Sequence, residues 1–220
     1  MAESSTKEID YEEGYHAERH KDHAKEKYYL ARATIAQNKF FKDIPEDSRL
    51  LDYGCGLGQN IYLRKNAVGF DISSYGLDFC RDKGIEVTDD LDSLPDESFD
   101  NVFSAHVLEH HPNPKEMIAN MRSKLKPGHD LLLVIPHERH AKADFELDIN
   151  QHLFSWNFRS INNLLLSSGF LIKENKYLRG AGYNKLLSLF DASPQLYKFS
   201  TDLVSRFAGI KEMMIVATKK

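Results

Sequence analysis

The chain has 220 residues, a formal net charge of -4, and 28% charged and 41% hydrophobic residues. That length suits one α/β domain with a proper core, and the weakly acidic balance argues against a broad nucleic-acid surface, which needs a basic excess. Two cysteines, Cys55 and Cys80, are too few for a disulfide framework and point to a reducing, cytoplasmic setting; residues 1–10 do not read as a secretory signal, and apolar runs such as 131–136 are too short to span a bilayer.

Residues 1–8 read as disordered. Residues 15–41 read as a charged helix whose Ala24, Tyr28, Ala31 and Ile35 form an apolar stripe. On that helix His16, His20 and His23 share a face, which suits a solvated surface, a metal site or a substrate-facing lid. Leu50-Leu51-Asp52-Tyr53 then reads as a buried strand running into Gly54-Cys55-Gly56-Leu57-Gly58. Glycine at every second position marks a sharp turn that a ligand approaches closely, where no Cβ fits. A helix after that turn, between Gly58 and Ala67 and about one turn shorter than usual, would aim its free N–H groups at the ligand. A second strand over 67–72 ends in Asp71, a helix over 74–83 stops at Gly84, and a third strand over 85–88 runs into Asp89-Asp90-Leu91.

The fourth strand, 101–105, continues into His106-Val107-Leu108-Glu109-His110-His111-Pro112-Asn113-Pro114. Asn113 caps a helix with Pro114 in its first position, and the helix stops before Lys126-Pro127-Gly128. A fifth strand covers 130–135, and a polar loop over 137–156 carries His137, Glu138, His140, Asp144, Glu146, Asp148 and His152. Asn157 caps the helix 158–168, and a sixth strand covers 170–178. The apolar insert 180–209 is split into two helices by Pro194. The insert suits a helical pair on the sheet, a substrate cap, a homodimer surface or a patch for a lipid-linked substrate. A last strand over 213–218 pairs antiparallel. The expected fold is α/β: a Rossmann-like, seven-stranded, mostly parallel sheet with an antiparallel last strand and helices on both faces. It forms one domain over 1–220, with an N-terminal helical lid over 11–43.

Glycine spacing separates the cofactor classes. Dinucleotide binders carry G-x-G-x-x-G with an acidic residue about 20 positions on, whereas this chain has D-x-G-x-G-x-G with Asp71 arriving sooner, and no Walker lysine. This loop, Gly69-Phe70-Asp71-Ile72-Ser73 and the run from His106 to Pro114 together resemble class I S-adenosylmethionine-dependent methyltransferases over about residues 49–172. The match is to the small-molecule branch that includes quinone- and glycan-biosynthesis methyltransferases. The resemblance implies S-adenosyl-L-methionine as cofactor, held by Tyr15, Asp52, Gly54, Cys55, Gly56, Gly58, Asp71, Ile72, Asp90 and Leu91. In it, Asp71 accepts from the ribose hydroxyls, a task suited to an acceptor-only carboxylate. Asp90, rather than adjacent Asp89, meets the adenine amino group beside Leu91, and Tyr15 or His16 lies near the methionine end.

Methyl transfer from a sulfonium is an in-line displacement, so the protein aligns the nucleophile and removes its proton. Histidine is the default acceptor near neutral pH, and ligands of open α/β sheets lie beyond the carboxyl ends of the strands. His106 and His152, then His137, are therefore the candidate bases, with Glu109 and His110 read as structural ties. The Asn/Asp-Pro-Pro-aromatic motif of amino methylation is replaced by Ser104-Ala105-His106, and no compact signature such as His-Glu-x-x-His calls for a metal. The expected activity is O-methylation of a small-molecule acceptor, a sugar, lipid-linked sugar or other hydroxyl compound, with no nucleic-acid partner. The alternative is an inactive cofactor-binding module or partner subunit.

Overall fold

The structure is a computed structural model that describes residues 25–138, 152–179 and 184–220. The tract 1–24, with Tyr15, His16, His20 and His23, lies outside the described residues, as do His140, Asp144, Glu146 and Asp148.

Strands β1 (Leu50–Tyr53) and β2 (Ala67–Phe70) are buried at every position, as expected of parallel strands covered on both faces. With β3 (Glu86–Thr88), β4 (Phe99–Ala105), β5 (Leu125–Pro136), β6 (Phe170–Leu178) and β7 (Glu212–Lys219) they form one sheet of order β3-β2-β1-β4-β5-β7-β6. The first five strands pair in parallel, while β7 runs antiparallel between β5 and β6. The last strand therefore lies inside the sheet, with β6 as the edge. The strand order reverses between β1 and β4, where such sheets open a ligand crevice at their carboxyl ends.

Side-chain alternation sorts the core onto two faces. Leu51, Tyr53, Leu131, Leu133 and Ile135 pack with Met117, Ile118 and Met121 of helix α3 (Pro114–Lys124) and with Ile161 and Leu165 of α4 (Phe158–Ser167). Their sequence neighbours Leu50, Leu132 and Val134 pack with Ala36 of α1 (Glu26–Phe40), Phe41 and Ile61. Helix α2 (Ser74–Asp82) joins β2 to β3 and buries Gly76, Leu77 and Cys80. The caps act as their residue types dictate: Asn157 accepts from Ser160 N at 3.0 Å while Ser160 Oγ accepts from Asn157 N at 3.2 Å. Asn157→Ala is expected to cost about 1 kcal/mol in urea denaturation, with the fold intact.

The structure departs from the expected elements at three places. No helix follows Gly58; residues 59–66 run as successive turns, with Ile61 N bonded to Gly58 O at 3.2 Å and Arg64 N to Ile61 O at 2.8 Å. The segment is too short for a helix plus both connections, so the glycine loop has no helix N-terminus behind it. Strand β2 stops at Phe70, which leaves Asp71 and Ile72 just past its carboxyl end. Strand β5 starts at Leu125, because the Lys126-Pro127-Gly128 break is absorbed as a register irregularity against β4.

Pro194 divides the insert into α5 (Leu187–Ala192) and α6 (Pro194–Phe207). The pair packs on α1 rather than directly on the sheet: Tyr197 meets Ala31 and Ile35, flanked by Leu187, Leu189 and Phe190. On α6 the buried residues are Tyr197, Thr201 and Ser205, while Leu196, Phe199, Leu203 and Phe207 form an exposed apolar stripe. No helix among the described residues is long and apolar enough to cross a membrane.

Candidate active site

The glycine loop leaves β1 through three residues of positive φ, Gly54 at 80°, Gly56 at 54° and Gly58 at 72°, a region L side chains avoid. Two of these glycines are confined by packing. A Cβ on Gly54 would stand 2.3 Å from Val107 Cγ2, and one on Gly58 would stand 2.7 Å from Ile85 Cδ1. Gly56 differs, since a Cβ there meets nothing within 4 Å. Gly54 N and Cys55 N donate to Phe70 O at 2.7 and 3.0 Å. Asp71 completes the cradle, its Oδ2 accepting from Gly56 N at 2.7 Å and its Oδ1 from Ser73 N at 3.0 Å. Cys55 serves the turn through its backbone and, weakly, through Sγ, which lies 3.9 Å from Gly56 O. Its buried thiol packs down on Gly69, where a Cβ would lie 2.6 Å from Sγ, and contact with Cys80, then burial, pushes the thiol well up.

Beneath the loop, the Tyr29 hydroxyl donates to Leu57 O at 2.8 Å in a buried bond, and its ring stands edge-on to Tyr62 with centroids 5.0 Å apart. Burial, then nearby Cys80, raises its pKa, so the phenol stays a donor. Helix α1 thus braces the glycine loop through a residue that sequence reasoning missed; its one signal was its place beside the stripe residue Tyr28. Tyr29→Phe leaves the Leu57 carbonyl without this donor and is expected to cost about 1–3 kcal/mol in urea denaturation.

Asp52 is fully buried, and neither carboxylate oxygen has a hydrogen-bond partner among the described residues. Burial, reinforced by the Asp71 charge and partly offset by Asn60, pushes its carboxyl up to about 8. Ile72 presents an apolar side chain that is 71% exposed. Asp90 heads the turn Leu91–Ser93, its Oδ1 accepting from Asp92 N at 3.0 Å, and Leu91 packs against the main core. Asp52, the three glycines, Asp71, Ile72, Asp90 and Leu91 therefore follow one another along the carboxyl ends of β1, β2 and β3. An open cradle at Gly56 and a buried carboxylate lacking a partner fit a ligand with a nucleoside body and an ammonium group.

The second half of the site follows β4. His106 has φ +58° and donates its N–H to Val134 O at 2.9 Å. Its Nε2 is 3.1 Å from Glu212 Oε1 and its Nδ1 is 3.5 Å from Glu109 Oε1. Lys39 pairs with the other oxygen of Glu212. Burial would lower the His106 pKa, but the two carboxylates together outweigh it and push it up to about 9. Glu212, raised by burial, is pulled down to about 2 by His106 and Lys39. The two carboxylates thus favour the charged form of His106, and its Nε2 bonds Glu212, which suits the base expected there less well. Sequence reasoning passed over Glu212, because only the antiparallel pairing of Glu212 with Pro136 carries it to the end of β5.

His152 has a different setting. Its Nδ1 bonds Glu138, which also accepts from Ser155 Oγ at 2.8 Å. Its Nε2 faces Glu109 Oε1 at 4.0 Å, and its ring stands edge-on to His110 with centroids 4.7 Å apart. Leu153 N and Phe154 N donate to Glu109 O at 2.9 and 3.2 Å, tying this segment to the loop after β4. His137 lies aside, its N–H on Lys211 O at 3.1 Å and its ring 5.1 Å from that of Tyr177. Of the three candidate histidines the structure therefore joins His152 and His106 through Glu109 and leaves His137 out.

The pattern of the family described as "Methyltransferase domain" matches residues 23–175. The tRNA U34 carboxymethyltransferase of Pseudoalteromonas translucida is 29% identical over a match covering 42% of this chain and 37% of that protein, so the chain spans well under half of that relative's length. Among solved structures, a SAM-dependent methyltransferase from Archaeoglobus fulgidus superposes with a TM-score of 0.58 at 20% identity, covering 87% of this chain and 94% of that one. The 1,6-didemethyltoxoflavin-N1-methyltransferase of Burkholderia thailandensis, solved with its substrate and S-adenosylhomocysteine, gives 0.57 at 14% identity, covering 94% and 84%. These structural likenesses concern the fold, whereas the family pattern spans well over half of the chain. The chain belongs to the methyltransferase-domain family, and its cofactor is S-adenosylmethionine.

Proposed function

We propose that this methyltransferase acts on a hydroxyl oxygen of a small-molecule acceptor, a sugar or lipid-linked sugar, with His152 taking the acceptor's proton. The observation that carries the reading is the bond between Glu138 and His152 Nδ1, which directs Nε2 to the carboxyl ends of β4 and β5. The bound cofactor supplies a methyl group activated on a sulfonium. Asp71 and Asp90 hold the ribose and adenine beside Ile72 and Leu91, Gly56 leaves room for close approach, and Asp52 meets the ammonium. Tyr15, the remaining cofactor candidate, lies outside the described residues. Glu138 on Nδ1 fixes the tautomer that leaves Nε2 free to accept a proton. His106, between Glu212 and Glu109, is held toward its charged form and suits that task less.

The net charge of -4 supports a small acceptor over RNA, and the exposed stripe of Leu196, Phe199, Leu203 and Phe207 supports a lipid-linked one. The free thiols of Cys55 and Cys80 fit a reducing cytoplasm. Release of S-adenosylhomocysteine, followed over sugars, lipid-linked sugars, phenols, amines and tRNA, tests the reading. Turnover on a hydroxyl compound is expected; turnover confined to tRNA, the substrate class in the curated relative's name, or to amines overturns it.

Asp52 gives this site a pH signature. Its pKa is raised on folding to about 8, so the folded chain keeps a proton that the unfolded chain gives up near pH 4. Stability of the free protein therefore falls as pH climbs from about 4 to about 8, and Asp52→Asn flattens that slope in urea titrations. A ligand ammonium favours the ionised carboxylate, so affinity for S-adenosylhomocysteine rises from about pH 6 to about pH 8 in the wild type, and the rise is absent in Asp52→Asn.

A further inference from the structure

The geometry points to a divalent-metal site formed by Glu109, His110 and His152. One ligand atom from each of the three lies within 4.8 Å of the others, and the two Nε2 atoms each stand 4.0 Å from Glu109 Oε1. Glu109 is wholly buried, and neither of its oxygens has a hydrogen-bond partner among the described residues. His106 gives this carboxylate one cationic neighbour but no hydrogen bond, so a metal would complete its pairing. His106 approaches from one side at 3.5 Å, while His110 and His152 converge on the same oxygen.

The surroundings are those of a built site. Glu138 holds Nδ1 of His152 and is itself held by Ser155, the carboxylate–histidine arrangement that orients a ligand and raises its basicity. The bonds from Leu153 N and Phe154 N to Glu109 O fix His152 against Glu109. Tetrahedral ligands at metal-bond lengths stand about 3.4 Å apart, so the cluster closes onto an ion by about 0.6 Å at the two Glu109 contacts and by up to about 1.4 Å between the imidazoles. Two imidazoles and one carboxylate select a zinc-like or iron-like divalent ion over magnesium or calcium, and three protein ligands leave a position open. Adjacent Glu109 and His110 with a distant His152 escape any compact motif, which is why the sequence pointed to no metal.

The site lies where the acceptor is placed in the proposed function, and in that one respect it rests on that reading. The open position would take an acceptor hydroxyl oxygen and a bound ion would lower its pKa, so that its proton passes to solvent water while His152 Nε2 is a ligand. In metal-free protein His152 Nε2 is the proton acceptor.

The test is calorimetry of chelator-treated full-length protein with Zn2+ alone, and visible absorption with Co2+ alone. One ion per chain with micromolar or tighter affinity is expected. His110→Ala and His152→Ala each weaken binding about 100-fold or more, and Glu138→Gln about 10-fold. Unchanged S-adenosylhomocysteine affinity in each variant certifies the fold. No binding by the wild type, or equal binding by the His110→Ala/His152→Ala double variant through other histidines, overturns the site. If no metal binds, turnover of the metal-free enzyme on a hydroxyl acceptor leaves the proposed function standing; if metal binds as expected but no hydroxyl compound turns over, the proposed function fails and the metal site stands.

Discussion

Gly56→Ala is expected to weaken S-adenosylhomocysteine binding at least about 100-fold, roughly 2.7 kcal/mol, while costing only about 1–2 kcal/mol of stability. The two effects separate because the added methyl meets nothing within 4 Å in the free protein. Its stability cost is the left-handed backbone alone, φ 54°, whereas in the complex the methyl occupies the ligand's space. Gly54→Ala is the contrasting case. Its Cβ would lie 2.3 Å from Val107 Cγ2, so stability and binding fall together, and the loop after β4 is displaced with them. Calorimetry beside urea denaturation distinguishes the pair. Equal behaviour of the two variants would mean that Gly56 does not face the cofactor.

His152→Ala is expected to lower kcat by about 100- to 10,000-fold with S-adenosylhomocysteine affinity unchanged. The side chain lies beyond β4 and β5, away from the proposed cofactor residues of β1–β3, and no described contact joins it to the glycine loop. Glu138→Gln keeps the shape of the contact but removes the charge that orients Nδ1, so its loss in kcat is smaller and in the same direction. A change within about threefold of wild type, below the range of a lost general base, would remove His152 from the chemistry.

Local pattern carried the fold. The apolar run Leu50–Tyr53, the glycines at every second position and Asp71 at a strand end state their own geometry, because turn and strand preferences act over a few residues. Asn113, Asn157, Pro114 and Pro194 marked helix starts for the same reason. The sequence predicts a helix after Gly58 shortened by a turn, and the few residues before Ala67 form turns instead. The contacts that define the chemistry are non-local. Tyr29 reaches Leu57 across 28 residues, Glu212 reaches His106 across 106, and Glu109 meets His152 only because two backbone bonds fold that segment back. None has a spacing signature. The left-handed φ of His106 has none either, since no glycine marks it, nor has the pair of carboxylates that favours its charged form.

Asp71 is the residue through which the proposed cofactor site is tested most directly, since its two oxygens hold Gly56 N and Ser73 N at the end of β2. The decisive measurement is calorimetric titration of the wild type and Asp71→Ala with S-adenosylhomocysteine. Micromolar binding by the wild type and its collapse in the variant are predicted. Absence of wild-type binding, or equal affinity in the two proteins, would contradict a cofactor held along the carboxyl ends of β1, β2 and β3.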